Sequence, residues 1–207
     1  MNHQHLIVFT RYPEAGKTKT RLISALGEEG AAHLQRQMTE QTINKVKQLE
    51  NLISLSVEVR FVGGDIQLIE NWLGSDLKYQ EQGPGNLGDR MERAFQEAFN
   101  NGNKYVVTIG IDCPNLSTDL IKQAFEKLTK NDLVIGPATD GGYYLIGLSQ
   151  FIPELFRGIN WGSAQVLEKT VTTAQFLNLV VAYLPILSDI DRPEDLNNLE
   201  SLLIDHK

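Results

Sequence analysis

Hydrophobic and polar positions along this chain follow two periods, which predict strands that alternate with helices. Uninterrupted apolar runs at 6–9, 105–109 and 133–135 are typical of short strands that are buried on both faces of a parallel sheet. Apolar residues at every second position from Leu55 to Phe61, followed by two glycines, predict a half-buried strand that ends in a turn. The two further predicted strands are 77–80 and 179–184.

Helical periodicity fills the segments between these strands. The predicted helices cover 28–49, 66–72, 87–98 and 117–128, and a last one opens at 161–163 and continues through Val171. Asp65 and Ser117 precede two of these helices and are suitable N-caps. The alternation predicts a layered α/β fold. Because no repeat, low-complexity tract or linker interrupts residues 1–207, we expect a single domain.

The loop after the first predicted strand concentrates positive charge. It reads FTRYPEAGKTKTRL, and its cations are Arg11, Lys17, Lys19 and Arg21. Glu14 is the one acid of this loop, whereas the whole chain has a formal net charge of −7. Gly16 allows a ligand to approach the backbone closely, and the start of the following helix adds N–H donors. This pattern favours a phosphate site, with a nucleotide polyphosphate as the expected ligand.

Two other interpretations of this loop stay open. Gly16, Lys17 and Thr18 spell the end of a Walker A motif, but Arg11 stands where that motif needs its first glycine. The spacing therefore disfavours a P-loop. A charge run is also often no more than a solvated surface turn.

Acidic residues follow several predicted strands. Asp112 comes directly after a buried strand, where it could hold a divalent cation that bridges phosphates, or cap backbone N–H groups. Asp140 precedes a glycine, a common hairpin-turn pair. Asp191 with Glu194 resembles a helix-capping box. Asp189 has no such local explanation. Acids in several loops beside one cationic loop are the layout for a metal–nucleotide complex.

Composition excludes several classes of protein. A single cysteine, Cys113, excludes an internal disulfide and a thiolate zinc cluster, and it is expected to be a small packed residue. No apolar run approaches the roughly 18 residues that a membrane span needs. The sequence pI near 5.1 disfavours nucleic acid as a partner. Because the N-terminus carries no basic region before a long apolar core, we expect a cytoplasmic protein.

Six motifs in order resemble the DUF2064 or transferase 1 family of glycosyltransferase-like bacterial proteins. They are TRYPEAGKTKTRL, GNLGDRM, GIDCPNLS, GPATDGGYYLIGL, NWGSAQVLEKT and DIDRPEDL. The resemblance covers essentially the whole chain. It implies a GT-A, nucleotide-diphospho-sugar transferase type of fold, a three-layer α/β/α domain with a mostly parallel sheet.

The resemblance also implies roles for particular residues. It assigns nucleotide binding to Arg11, Gly16, Lys17, Arg21, Gly88, Asp89, Gly141 and Gly142. Lys17 and Arg21 are the best candidates for phosphate contacts. Together with Asp140, which could accept the proton of an acceptor hydroxyl, they are the expected catalytic residues. Asp112 stands where GT-A enzymes keep their metal-binding acid, and Gly110 replaces the first acid of the DxD motif, so Asp191 or Asp140 is expected to complete a Mg²⁺ or Mn²⁺ site.

The expected function is transfer from a nucleotide-activated donor, most simply glycosyl transfer from a nucleotide sugar to a small-molecule acceptor. The alternative is nucleotidyl transfer, in which an NTP is joined to a phosphorylated acceptor with release of pyrophosphate. A third interpretation is a catalytically silent nucleotide-binding module, which the missing first acid of the DxD motif supports. The sequence does not indicate an oligomeric state.

Overall fold

The computed structural model describes residues 4–197, which form a seven-stranded sheet with helices on both faces. The strands are β1 (Gln4–Arg11), β2 (Ser56–Val62), β3 (Lys78–Glu81), β4 (Tyr105–Ile109), β5 (Leu133–Pro137), β6 (Tyr143–Leu148) and β7 (Val181–Tyr183). The helices are α1 (Ile23–Glu50), α2 (Ile66–Leu73), α3 (Leu87–Asn100), α4 (Thr118–Leu128) and α5 (Val166–Phe176). Short 3-10 helices lie at Thr20–Leu22, Pro153–Phe156 and Pro193–Leu196.

The sheet is mixed but mostly parallel, as predicted. Its strand order is β3-β2-β1-β4-β6-β5-β7. The strands β1 to β4 pair in parallel, and β7 is parallel to β5. Strand β6 runs antiparallel to both of its neighbours, β4 and β5. Because two reversals restore the direction, the carboxyl ends of β1, β4 and β5 lie at one edge of the sheet.

Two hydrophobic cores, one on each face of the sheet, produce the predicted three layers. In β1, Leu6 and Val8 point into the core under α1, α2 and α4, whereas Ile7 and Phe9 point into the core under α3 and α5. This alternation follows from the period of two along a strand. Burial of each such side chain contributes roughly 1.5–3 kcal/mol. The central strands are therefore a rigid base for the loops at their carboxyl ends.

The prediction that β2 is half-buried is wrong. Its polar residues Glu58 and Arg60 are 2% and 1% exposed, because α3 covers that face of the sheet. The Arg60 guanidinium donates to Glu58 (Nε–Oε1 2.5 Å) and to Glu97 of α3 (Nη2–Oε2 2.6 Å). Charge pairing, rather than solvent, thus neutralises these groups, and only Arg60 Nη1 among their buried polar atoms has no partner among the described residues.

Element boundaries differ from the predictions mainly in the last third of the chain. Helix α5 begins at Val166 instead of 161–163, because Gly162 has a φ of 85° and interrupts the helical backbone. The predicted strand 179–184 is shortened to β7. Asp65 and Ser117 cap α2 and α4 as predicted. None of the helices between residues 4 and 197 has the length and apolar character needed to cross a bilayer.

Candidate functional site

The carboxyl edge of the sheet carries a cavity of about 480 Å³, here called the main cleft. The first loop, the segment after β4 and the start of α3 form its walls. A smaller space of about 220 Å³, here called the acidic cavity, continues it toward α5. The residues that line both spaces are Leu87, Gly110, Asp112, Tyr143 and Tyr144. The two cavities therefore form one continuous site.

Lys19 is the cation that the first loop places inside the main cleft. Its side chain is 4% exposed, and its Nζ donates to Asp112 Oδ1 at 2.7 Å and to the Ile190 carbonyl at 2.6 Å. Its backbone has a φ of 44°, an uncommon left-handed conformation for a lysine. Sequence reasoning did not choose Lys19, since no local signal separates it from Lys17.

Local hydrogen bonds fix the path of the first loop. The buried Thr18 hydroxyl donates to the Tyr12 carbonyl and accepts from the Glu14 N–H, both at 3.1 Å. Gly16 has a φ of 74°, a left-handed conformation that glycine adopts more readily than other residues. The loop therefore folds back on itself before it enters the 3-10 turn that begins at Thr20.

The other cations of this loop take different positions. Lys17 is 69% exposed and pairs with Glu14 at 2.7 Å. Arg21 pairs with Asp191. Arg11, at the end of β1, lines the main cleft. The structure thus brings Arg11 together with Lys19, whereas Lys17 points to solvent and its predicted role stays a prediction.

Three carboxylates, those of Asp112, Asp140 and Asp189, are among the groups that line the acidic cavity. Burial raises the pKa of Asp189, and the charges of Asp140, Asp195 and Asp112 raise it further. Burial also raises the pKa of the Cys113 thiol, and the charges of Asp189, Asp112 and Asp140 raise it further. This thiol is therefore a packed neutral group, and the cavity attracts positive charge.

The hairpin turn expected at Asp140 is present, and a capping box lies close to the one expected at Asp191. Asp140 lies in the hairpin between β5 and β6, where its Oδ1 accepts from the Gly142 N–H at 2.8 Å. The capping carboxylate near Asp191 is that of Asp195, which accepts from the N–H groups of Asp191 and Arg192. The predicted Asp191–Glu194 capping box is thus displaced by one residue.

The predicted metal ligands, Asp112 and Asp191, both line the main cleft, and each is engaged by a cation of the first loop. Carboxylate and carbonyl oxygens are the ligands that Mg²⁺ and Mn²⁺ prefer. The Lys19 ammonium already donates to one oxygen of each kind, the Asp112 carboxylate and the Ile190 carbonyl. Across residues 4–197, however, no three His, Cys, Asp or Glu side chains are grouped to hold a metal. The donor atoms at Lys19 are nonetheless of the types that a hard divalent cation prefers.

The predicted glycines mainly permit close packing beside the site. A Cβ on Gly88 would lie 2.2 Å from Trp161 Nε1, and one on Gly141 would lie 2.2 Å from the Ala164 carbonyl oxygen. Asp89 accepts from the Asn86 N–H and closes a capping box at the start of α3. Gly142 lines the acidic cavity, whereas Gly88, Asp89 and Gly141 line neither cavity.

Uncharged polar side chains form the inner wall of the main cleft. Gln82 Nε2 donates to the carbonyls of Thr10 (3.0 Å) and Arg60 (3.1 Å), and Gln35 Nε2 donates to the Arg11 carbonyl (3.2 Å). The buried Thr108 hydroxyl has no hydrogen-bond partner among the described residues. Sequence reasoning missed this wall, because its members come from α1, the loop after β3 and β4, which are far apart along the chain.

Comparison with known proteins gives one family match and several solved structures of the same architecture. The family model described as "Uncharacterized protein conserved in bacteria (DUF2064)" matches residues 42–163. No curated protein sequence matches the chain. A solved structure from Desulfovibrio desulfuricans, assigned as a nucleotide-diphospho-sugar transferase, is 36% identical, with a TM-score of 0.90 over 96% of this chain and 87% of that one.

Two more distant structures share the fold. One is CMP:2-keto-3-deoxy-manno-octonic acid synthetase complexed with CTP, at 8% identity and a TM-score of 0.60 over 99% of this chain and 100% of that one. The other is Rv0371C from Mycobacterium tuberculosis in complex with manganese, at 13% identity and a TM-score of 0.53 over 95% and 97% of the two chains. At such identities they establish the fold alone, and the predicted nucleotide-diphospho-sugar transferase type of fold is confirmed.

Proposed function

Because this chain belongs to the DUF2064 family of bacterial proteins, we propose that it is a transferase that binds the phosphates of a nucleotide-activated donor in the main cleft. The observation that carries the proposal is the position of Lys19. Its ammonium is buried at the carboxyl edge of the sheet, beside Asp112, and ligands of open α/β sheets bind at this edge. A basic surface turn would instead leave all of its cations in water.

The residues of the site have separate tasks in this reaction. Lys19 and Arg11 stabilise the negative charge that develops on the diphosphate leaving group. Asp140 uses one carboxylate oxygen to hold the Gly142 N–H, which leaves the other free to accept the proton of an acceptor hydroxyl. Asp112, together with Asp189 or Asp191, would hold Mg²⁺ or Mn²⁺, which neutralises phosphate charge.

Glycosyl transfer from a nucleotide sugar is the first candidate reaction. It is supported by the 36% identical protein, which is assigned as a nucleotide-diphospho-sugar transferase. Nucleotidyl transfer is the second candidate, supported by the shared fold of a synthetase that binds CTP. The products separate them, because glycosyl transfer releases a nucleoside diphosphate and nucleotidyl transfer releases pyrophosphate.

A thermal-shift panel of nucleoside triphosphates, diphosphates and nucleotide sugars tests the proposal, with Mn²⁺ and with a chelator. A ligand at about 100 times its Kd stabilises the native state by roughly 2.7 kcal/mol. We expect Lys19→Met to abolish the shift. Lys17→Met should retain it if Lys19, rather than the predicted Lys17, contacts the phosphates, because Lys17 is 69% exposed and lines neither cavity. Equal losses in both variants, or no shift with any nucleotide, would contradict the assignment of the main cleft.

Several earlier expectations remain parts of this proposal. They are the small-molecule acceptor, the cytoplasmic location and a single domain over residues 1–207.

A silent nucleotide-binding module would give a thermal shift without any product. A shift that needs Mn²⁺, together with loss of product in Asp112→Asn, would exclude that alternative.

A further inference from the structure

The Lys19 ammonium occupies a cation position that is made of oxygen atoms. Asp112 Oδ1 and the Ile190 carbonyl oxygen lie 2.7 and 2.6 Å from Nζ, and Asp140 and Asp189 line the same cavity as Asp112. These are the donor types that a hard divalent cation requires. A metal ion bound to these two oxygen atoms would therefore compete with the ammonium for them.

The backbone at Lys19 holds the ammonium in this position. Its left-handed φ of 44° precedes the 3-10 turn, and residues rarely adopt such a conformation unless their surroundings impose it. Arg21 makes a second bridge from the same turn to Asp191. The first loop is thus joined to the segment 189–191 by a hydrogen bond from Lys19 to the Ile190 carbonyl and by the Arg21–Asp191 ion pair, and removal of Lys19 would break only the first of these two contacts.

We propose that Lys19 blocks the metal position of the free protein, so that a divalent metal binds Asp112 well only after donor phosphate has drawn the ammonium away. The metal and the nucleotide then bind cooperatively, in the order phosphate first or both together. This inference rests on the proposed function only for its phosphate step. The competition between Lys19 and the metal at Asp112 does not depend on the nature of the donor.

Binding of Mn²⁺ alone, followed by the electron paramagnetic resonance signal of the free ion, tests the competition. We expect Lys19→Met to lower the Kd for Mn²⁺ at least about tenfold, within the usual range of coupling between sites. Lys17→Met removes the same charge from the same loop without touching Asp112, so it should change the Kd much less. Adding Asp112→Asn to Lys19→Met should abolish the gain.

A second series adds pyrophosphate at a fixed concentration, and each titration is referenced to a protein-free titration because pyrophosphate itself binds Mn²⁺. In the wild-type protein it should tighten Mn²⁺ binding more than it does in Lys19→Met, because only the wild type has an ammonium to displace. If Lys19→Met tightens Mn²⁺ but pyrophosphate has no effect on either protein, the competition stands and the proposed function fails. If pyrophosphate binds but Lys19→Met leaves the Kd for Mn²⁺ unchanged, or raises it, the competition is refuted.

Folding of each variant is checked by its urea midpoint. Lys19→Gln removes the same charge with a polar side chain and replaces Lys19→Met if that variant does not fold. Equal tightening in Lys17→Met and Lys19→Met would also overturn the proposal, because it would show a general effect of net charge.

Discussion

The buried ion cluster beneath α3 allows a quantitative test of the fold. Arg60 is 1% exposed and donates to Glu58 and Glu97, while its Nη1 has no partner among the described residues. Lys78 supplies a second, half-exposed cation to Glu58 at 2.5 Å. The neutral replacement Glu58→Gln keeps the shape of the side chain but leaves a buried guanidinium with one charged partner instead of two.

We expect Glu58→Gln to destabilise the protein by about 3 kcal/mol, the lower end of the 3–5 kcal/mol that follows removal of one partner from a buried pair. The lower end applies because Glu97 still neutralises Arg60. Against a typical total stability of about 5–15 kcal/mol, this is a large loss. The urea midpoint should fall by about 1 M or more.

Urea unfolding followed by far-UV circular dichroism measures this loss, with Glu92→Gln as the matched control. Glu92 also pairs with an arginine at 2.6 Å, but Arg157 is 62% exposed, and surface pairs contribute about 0–1 kcal/mol. The double variant Glu58→Leu with Arg60→Met should lose less than Glu58→Gln alone, because it leaves no unpaired buried charge. Equal midpoints for Glu58→Gln and Glu92→Gln would refute the reasoning.

Three further variants test other features by urea or thermal unfolding. Burial lowers the pKa of His5 from 6.5 to about 4, so between these pH values only the unfolded chain binds the proton, and stability should fall by about 3 kcal/mol as the pH drops through this window. His5→Gln should flatten that dependence in urea midpoints. Gly141→Ala should lower the Tm more than Gly102→Ala, because both have positive φ but only Gly141 faces a carbonyl at 2.2 Å; equal losses would exclude the contact. Asp65→Ala should cost about 1 kcal/mol through loss of the α2 cap, and an unchanged midpoint would contradict this.

The fold could be predicted from the sequence because periodicity reports which faces of an element are buried. This reasoning failed at β2, where the polar residues Glu58 and Arg60 alternate with apolar ones and were interpreted as a solvent-facing side. Charged residues can be buried when partners from other elements neutralise them, and Glu97 is 37 residues away along the chain. No local pattern contains that information.

The site could be predicted at the level of loops but not of single cations. The first loop and the Asp112 segment do meet, as expected from strand ends in a parallel sheet. The choice between Lys17 and Lys19 depends on the left-handed backbone of Lys19 and on a carbonyl 171 residues away. Asp189 could have been chosen from the sequence as a residue of the site, since it alone among the candidate acids had no capping or turn explanation.

The position of β6 constrains how this protein can be synthesised. Strand β6 lies between β4 and β5 in space but follows both in the chain, so β5 has no direct neighbour on the β4 side until Leu148 has been added. A nascent chain that has emerged from the ribosome as far as Pro137 but not beyond Tyr143 exposes the open edges of two apolar strands. Such edges pair with other chains. Rapid emergence of 138–148, or a chaperone bound to β4 and β5 until β6 is available, would therefore reduce aggregation.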